Sequence, residues 1–170
     1  RRVSREELID HAAELIRKYP ILFIGDLLAE DDWDGFVQAH QKLKGVKLIG
    51  DDFIVTNRHR LQKAYECRAL DGFILKPNQV GTITEALDTH AYAQSCGLLT
   101  IPSGRSGGAV GDIVADLALA LGAPISKNGA PKSGERLDKI NSLLRASSDN
   151  PHSHLCDLTK LFHPAYFQHA

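Results

Sequence analysis

Short apolar runs alternate with amphipathic stretches along most of this chain. Five such runs end in glycine or polar residues, and they occupy residues 21–24, 46–49, 72–75, 97–101 and 123–125. The positions at which they end, 25, 51, 76, 103 and 127, are separated by 26, 25, 27 and 24 residues. This regular spacing predicts a repeated unit of strand, loop and helix.

The segments between the apolar runs carry helix signals. Ser4 and Glu7 form a capping-box pattern ahead of apolar residues at helical spacing, and this helix should end near Tyr19, before Pro20. Other helices are predicted to start at Asn57 and Ser133 and to cover residues 84–96 and 114–121. The cycle therefore has a helix after most of its strands.

Successive parallel strands joined by right-handed helical crossovers form either an open sheet or a closed eight-stranded barrel. The spacing of the runs alone leaves both alternatives open. In a barrel, five strands would be too few, and three more would have to come from elsewhere. The fold class predicted at this point is α/β, with about five βα units.

The last 24 residues depart from the cycle. We predict a body of residues 1–146 and a C-terminal tail of residues 147–170, which breaks the cycle at Asn150 and Pro151. The tail has four histidines whose spacing fits no metal-ligand pattern: His152, His154, His163 and His169. We expect it to pack its large apolar side chains on the body: Leu155, Leu158, Leu161 and Phe162.

Composition excludes several classes of partner. The chain has 170 residues, of which 43% are hydrophobic, which is enough for one sizeable core. Its 20 basic and 21 acidic residues give a net charge of −1, so no nucleic-acid partner is predicted. No apolar run approaches the roughly 20 residues that span a bilayer, and three widely separated cysteines suit a reducing compartment. We therefore predict no membrane partner and a cytoplasmic location.

Charged residues follow the predicted strands at the end where parallel α/β folds hold their chemistry. These residues are Asp51, Lys76, Arg105 and Lys127. A single lysine in such a place usually reaches solvent. Two lysines, together with an aspartate and an arginine at neighbouring strand ends, favour a site in which a lysine acts as a base or a cationic clamp.

The glycine-rich segment "PSGRSGGAVGD" follows the fourth predicted strand. It lets the backbone approach a ligand and presents Arg105 and Ser106 to a phosphate or carboxylate. It contains neither GxGxxG nor a Walker lysine, so a nucleotide site is not indicated. A flexible loop is the alternative. Asp51 and Asp52 could likewise bind a divalent cation or form a solvated pair.

Five segments together resemble a known family. They are "YPILFIGDLLAEDDWDGF", "LIGDDFIVTNRHRLQKA", "FILKPNQVGTITEALD", "GRSG" and "DLALALGAPISKNGAPKSGERLDKINSLLR". In order and spacing they resemble the C-terminal barrel of enolase, from about Ser4 to Arg145. The resemblance favours the barrel over the open sheet. It implies the C-terminal part, about five βα units, of an enolase-type TIM-like barrel whose first strands are absent from this sequence.

The resemblance implies a lyase of glycolysis, phosphopyruvate hydratase, which interconverts 2-phosphoglycerate with phosphoenolpyruvate and water. Lys76 matches the base that removes the proton next to the carboxylate, and Lys127 matches a lysine that holds that carboxylate. Arg105 and Ser106 match the phosphate-binding pair, and Asp51 matches a magnesium ligand. Such a proton is removed only where metal and cations neutralise the charge that develops.

Two departures from the family pattern bear on activity. Gly25 stands where the family has a glutamate ligand of magnesium, and Gly104 stands where it has the active-site histidine. We therefore expect weakened magnesium binding and impaired turnover. The alternative is a noncatalytic enolase-like subunit, in a homodimer or a larger protein assembly. A third possibility is proton abstraction from another acid.

Overall fold

The computed structural model describes residues 3–162. Four parallel strands pair in sequence order: β1 (Phe23–Gly25), β2 (Lys47–Gly50), β3 (Gly72–Leu75) and β4 (Leu99–Pro102). Ile24 lies beside Leu48, and Phe73 lies beside Thr100. The predicted α/β class with a parallel sheet is confirmed, and the first, second and fourth strands lie one or two residues later than predicted.

Helices connect the strands and cover one face of the sheet. They are α1 (Arg5–Lys18), α2 (Trp33–Lys42), α3 (Arg58–Glu66), α4 (Pro77–Val80), α5 (Ile83–Ser95), α6 (Val114–Ala120) and α7 (Gly134–Asp149). A short 3₁₀ turn, Leu158–Lys160, follows in the tail. The pattern of apolar runs did not predict α2 or the one-turn α4.

The predicted helix caps at Ser4 and Asn57 are present, whereas Ser133 begins α7 without a capping hydrogen bond from its side chain. The Ser4 hydroxyl accepts the N–H of Glu7, and the Glu7 carboxylate accepts the N–H of Ser4, so the capping box is complete. Tyr19 ends α1 as its C-cap. The Asn57 side chain accepts from the N–H of Arg60 at 3.0 Å and starts α3.

The prediction of a fifth strand at residues 123–125 is wrong. No strand forms there, and the chain meets the sheet only at an isolated parallel bridge between Ser103 and Lys127. Pro124 explains the difference, because it has no N–H to donate to a ladder. The N–H of Lys127 donates to the carbonyl of Pro102 at 2.9 Å, so the backbone reaches β4 two residues beyond the predicted run.

The core lies on both faces of the sheet. Phe73 and Leu75 of β3 point into a helix-covered cluster in which the rings of Phe36 and Phe53 stack 3.8 Å apart. Ile74 points to the opposite face, where a smaller cluster contains Ile49, Leu99 and Ile101. Every residue of β3 is buried, as is typical of a parallel strand.

The tail contacts the body through some of its predicted apolar residues. Phe162 is buried and its ring lies 6.5 Å from the ring of Phe23, while Leu158 and Leu161 are half-buried. Leu155 does not pack as expected, because 94% of it is exposed. His163 and His169 lie outside the described residues. Among residues 3–162, no helix is long and apolar enough to cross a membrane.

Candidate functional site

Lys76 lies at the carboxyl end of β3, where the candidate site is located. It follows Leu75, and strand alternation turns its side chain to the same face as Ile74. Its backbone N–H donates to the hydroxyl of Thr56 at 2.8 Å, and that hydroxyl donates to the carbonyl of Ile74 at 3.3 Å. Pro77 follows as the first residue of α4. The position of Lys76 is therefore fixed by the hydrogen bond to Thr56 and by the start of α4 at Pro77. Lys76 is 8% exposed.

Asp51 brings the two predicted lysines together. Its Oδ1 accepts a hydrogen bond from the Lys76 ammonium, and its Oδ2 accepts one from Lys127 at 2.8 Å. Burial alone would raise the pKa of this carboxyl, but the hydrogen bonds from Lys127 and Lys76 lower it below its ordinary value. The carboxylate is therefore ionised at neutral pH and shared by two cations.

Asp26 fixes the loop that carries Asp51. Its Oδ1 accepts the N–H of Asp51 at 2.7 Å, and its Oδ2 accepts the N–H of Asp52 at 2.6 Å. The backbone of Asp26 has φ 43°, a left-handed conformation that aspartate tolerates better than most residues. Asp26 was not among the predicted site residues, although an aspartate directly after a strand, where the chain must turn, is a signal for this role.

A cleft of about 330 Å³ opens above this cluster. It is lined by four predicted site residues, Lys76, Arg105, Ser106 and Lys127, and by a further cation, Arg136. Arg105 and Ser106 are exposed. Within residues 3–162, the side chain of Arg105 makes no hydrogen bond or salt bridge. The structure thus places all five predicted site residues at one end of the sheet, with Asp51 bonded to both lysines of the cleft.

Gly25 and Gly104, the two glycines that depart from the family pattern, have different surroundings. A Cβ atom at Gly25 would meet only the carbonyl oxygen of Ile49, at 3.9 Å. A Cβ at Gly104 would lie 2.9 Å from Cε of Lys139. Lys139 is 2% exposed and pairs with Asp112 at 2.5 Å, so a buried ion pair lies against Gly104. Position 25 has room for a side chain, and position 104 has little.

The carboxylates near the site do not form a magnesium site by themselves. Asp51 gives both oxygens to lysines, and Asp26 gives both to backbone N–H groups. Asp52 accepts from the Gln79 amide at 3.0 Å. In the part of the chain that the structure describes, no three His, Cys, Asp or Glu side chains are grouped to hold a metal ion. The donors present here do not fit a resident magnesium ion.

Comparison with known proteins agrees with the fold. Residues 1–154 match the family model described as "Enolase, C-terminal TIM barrel domain". An enolase of Methanococcus maripaludis (strain C7) is 43% identical over 148 residues, which cover 87% of this chain and 35% of that protein. Enolase 2 of Methanospirillum hungatei JF-1 is 42% identical over 144 residues, covering 84% of this chain and 34% of that protein.

The chain spans about a third of the length of the curated relatives that it matches. The family match, by contrast, covers nearly all of the described residues, including the four strands and helices α1 to α7. The chain therefore belongs to the enolase family and corresponds to its C-terminal TIM barrel domain.

Proposed function

We propose that this chain supplies the base and the anion-binding side chains of an enolase-type site. The reaction is the interconversion of 2-phosphoglycerate with phosphoenolpyruvate and water. One observation carries the proposal: a single carboxylate, Asp51, holds Lys76 and Lys127 together beside the cleft that Arg105 and Ser106 line.

Lys76 is the base. As the free amine, its Nζ takes the proton from the carbon next to the substrate carboxylate. Hydroxide then leaves the neighbouring carbon and takes up a proton from solvent to become water. Removal of that proton places a second negative charge on the carboxylate end of the substrate. Lys127 lies on the other oxygen of Asp51 and binds that end, where a fixed cation stabilises the developing charge most effectively.

Arg105 and Ser106 bind the phosphate. A guanidinium group binds phosphate oxygens through two parallel hydrogen bonds, and a hydroxyl group adds a third. The Arg105 guanidinium has no partner among the described residues, so a phosphate would displace no existing ion pair. Arg136 lines the same cleft and adds positive charge.

Magnesium has no assigned step in this mechanism. The donors among residues 3–162 do not fit a resident ion, and Gly25 provides no carboxylate where the family has one. We therefore propose that turnover is impaired, since metal neutralisation of a developing dianion contributes several kcal/mol.

A noncatalytic role is the second candidate. Gly25 and Gly104 remove two functional side chains, and both oxygens of Asp51 are already occupied by lysines. In this case the domain is a folded subunit of a homodimer or a larger cytoplasmic assembly, and the cluster of Asp51 with its lysines is structural.

Turnover of 2-phosphoglycerate by the full-length protein tests the proposal, with formation of phosphoenolpyruvate followed by absorbance over a range of magnesium concentrations. Lys76→Ala should abolish turnover. Lys132→Ala is the matched control, because Lys132 is exposed and does not line the cleft. A folded protein that shows no turnover at any magnesium concentration would contradict the enzymatic proposal and support the noncatalytic one.

A further inference from the structure

A second cleft lies beside the anion site. It has a volume of about 200 Å³, and its surface is mainly apolar. Its apolar lining includes Pro77, Ala109, Ile113 and Val114, and Arg105 lies between it and the larger cleft because this residue lines both. A ligand whose anionic group binds Arg105 therefore has an apolar recess within reach.

The size of the recess suits a small hydrocarbon group. Apolar cavities of about 150 Å³ hold a molecule as large as benzene, and this cleft is larger. The neighbouring loop residues 107–111 are small or apolar and carry no charge. A glycerate phosphate has no apolar group to place there, so it would leave this surface in contact with water.

The one carboxylate that lines the recess, Asp112, does not repel an anionic ligand, because its charge is compensated. Asp112 pairs with the buried Lys139 at 2.5 Å, and its other oxygen accepts the N–H of Val114 at 3.0 Å. The Lys139 ammonium offsets its charge, and both oxygens have donors. Arg105 is consequently the one unpaired charged group among the described residues that line the recess.

We propose that the apolar recess is a subsite for a substituent, and that the ligands preferred by this site are phosphorylated or carboxylic acids with an apolar arm. Arg105 binds the anionic group, and the arm lies against Pro77, Ala109 and Ile113. This inference rests on the anion site of the proposed function, but it enlarges the ligand beyond 2-phosphoglycerate.

Two phosphonates that differ only in the arm test the subsite. Binding of methylphosphonate and phenylphosphonate to the full-length protein is measured by titration calorimetry. Because burying the ring removes apolar area from water, phenylphosphonate should bind about tenfold tighter. Ala109→Gln places a polar side chain in the recess and should reduce that ratio to about one without weakening methylphosphonate binding.

Val110→Gln is the matched control. Val110 is the adjacent residue, is 67% exposed and does not line the recess, so its substitution should leave the tenfold ratio unchanged. Equal affinity for the two phosphonates, or a ratio that Ala109→Gln leaves intact, would overturn the inference. Failure of 2-phosphoglycerate turnover would instead contradict only the proposed reaction, because the phosphonate ratio is measured by binding.

Discussion

The two halves of the candidate site are built differently. The strand-end cluster, defined as Asp26, Asp51, Lys76 and Lys127, is held by hydrogen bonds within the chain. The loop of residues 103–112 presents Arg105 and Ser106 to solvent, and the side chains of these two residues make no hydrogen bond among residues 3–162. The side chains of the cluster are already positioned without a ligand. The charge of Arg105 in the loop has no partner among residues 3–162 and is free to bind an anionic ligand. Substitutions that break the cluster should therefore affect stability, whereas substitution of Arg105 or Ser106 should affect binding.

The largest effect on stability is expected from Asp51→Asn. This change removes the charge between two ammonium groups and leaves the buried Lys76 without compensation. Removing one partner of a buried ion pair costs about 3 kcal/mol or more. Urea denaturation of the full-length protein should show this decrease in the free energy of unfolding.

Asp52→Asn is the matched control for that experiment. Asp52 is the next residue, is exposed, and accepts one hydrogen bond from Gln79. Its substitution should change stability by less than about 0.5 kcal/mol. Equal destabilisation by the two substitutions would show that the lysine–aspartate cluster is not the source of rigidity at this end of the sheet.

Acid should weaken the cluster in a predictable direction. Burial alone would raise the pKa of Asp51, but hydrogen bonds from Lys127 and Lys76 bring it below the ordinary value of 3.8. Because the folded-state pKa is the lower one, the ionised carboxylate stabilises the fold above about pH 4, and this contribution is lost as pH falls through the folded-state pKa.

The free energy of unfolding should therefore fall as the pH drops below about 5, and Asp51→Asn should make this fall smaller. Asp71 supplies a background that persists in the variant, because hydrogen bonds from His40 and from the N–H of Leu48 lower its pKa against the effect of burial. Denaturation at a series of pH values measures both slopes. Identical slopes would mean that the lysines do not stabilise the charged form of Asp51.

Sequence patterns predicted the parts of this molecule that depend on local interactions. The bounds of β3 follow from an uninterrupted apolar run, and the start of α3 follows from the side chain of Asn57. The fifth strand failed because Pro124 lies within an apolar run. Local chemistry could have identified that error, since proline is a poor strand residue.

The candidate site was predictable in composition but not in arrangement. Lys76 and Lys127 were expected at strand ends, but their common partner Asp51 depends on where the ends of separate strands meet. The role of Asp26 depends on two backbone N–H groups 25 and 26 residues away. No local pattern encodes such a distance, because the fold determines it.

Substitution of Gly25 and of Gly104 by alanine should give smaller stability effects, which compare the two positions directly. Gly25→Ala should leave stability unchanged or slightly higher, because the added methyl group meets nothing closer than 3.9 Å. Gly104→Ala should destabilise by about 1 kcal/mol, because its Cβ would displace Lys139 from its buried pair with Asp112. The two melting temperatures, measured side by side, test the difference. If Gly104→Ala melts no lower than Gly25→Ala, the Lys139 side chain adapts without cost.

Arg105→Ala should have little effect on stability and a clear effect on binding, so it separates the two halves of the site. Arg105 is exposed and unpaired within residues 3–162, so its loss should change the free energy of unfolding by less than about 0.5 kcal/mol.

The binding of phosphate should respond differently to Arg105→Ala, because a charge-assisted hydrogen bond contributes about 1.5 to 3 kcal/mol. Inorganic phosphate should therefore bind at least tenfold more weakly. Calorimetry and denaturation of the same full-length variant measure both quantities. Destabilisation with unchanged phosphate affinity would reverse the assignment, making the loop structural and leaving the anion to the lysines of the cluster.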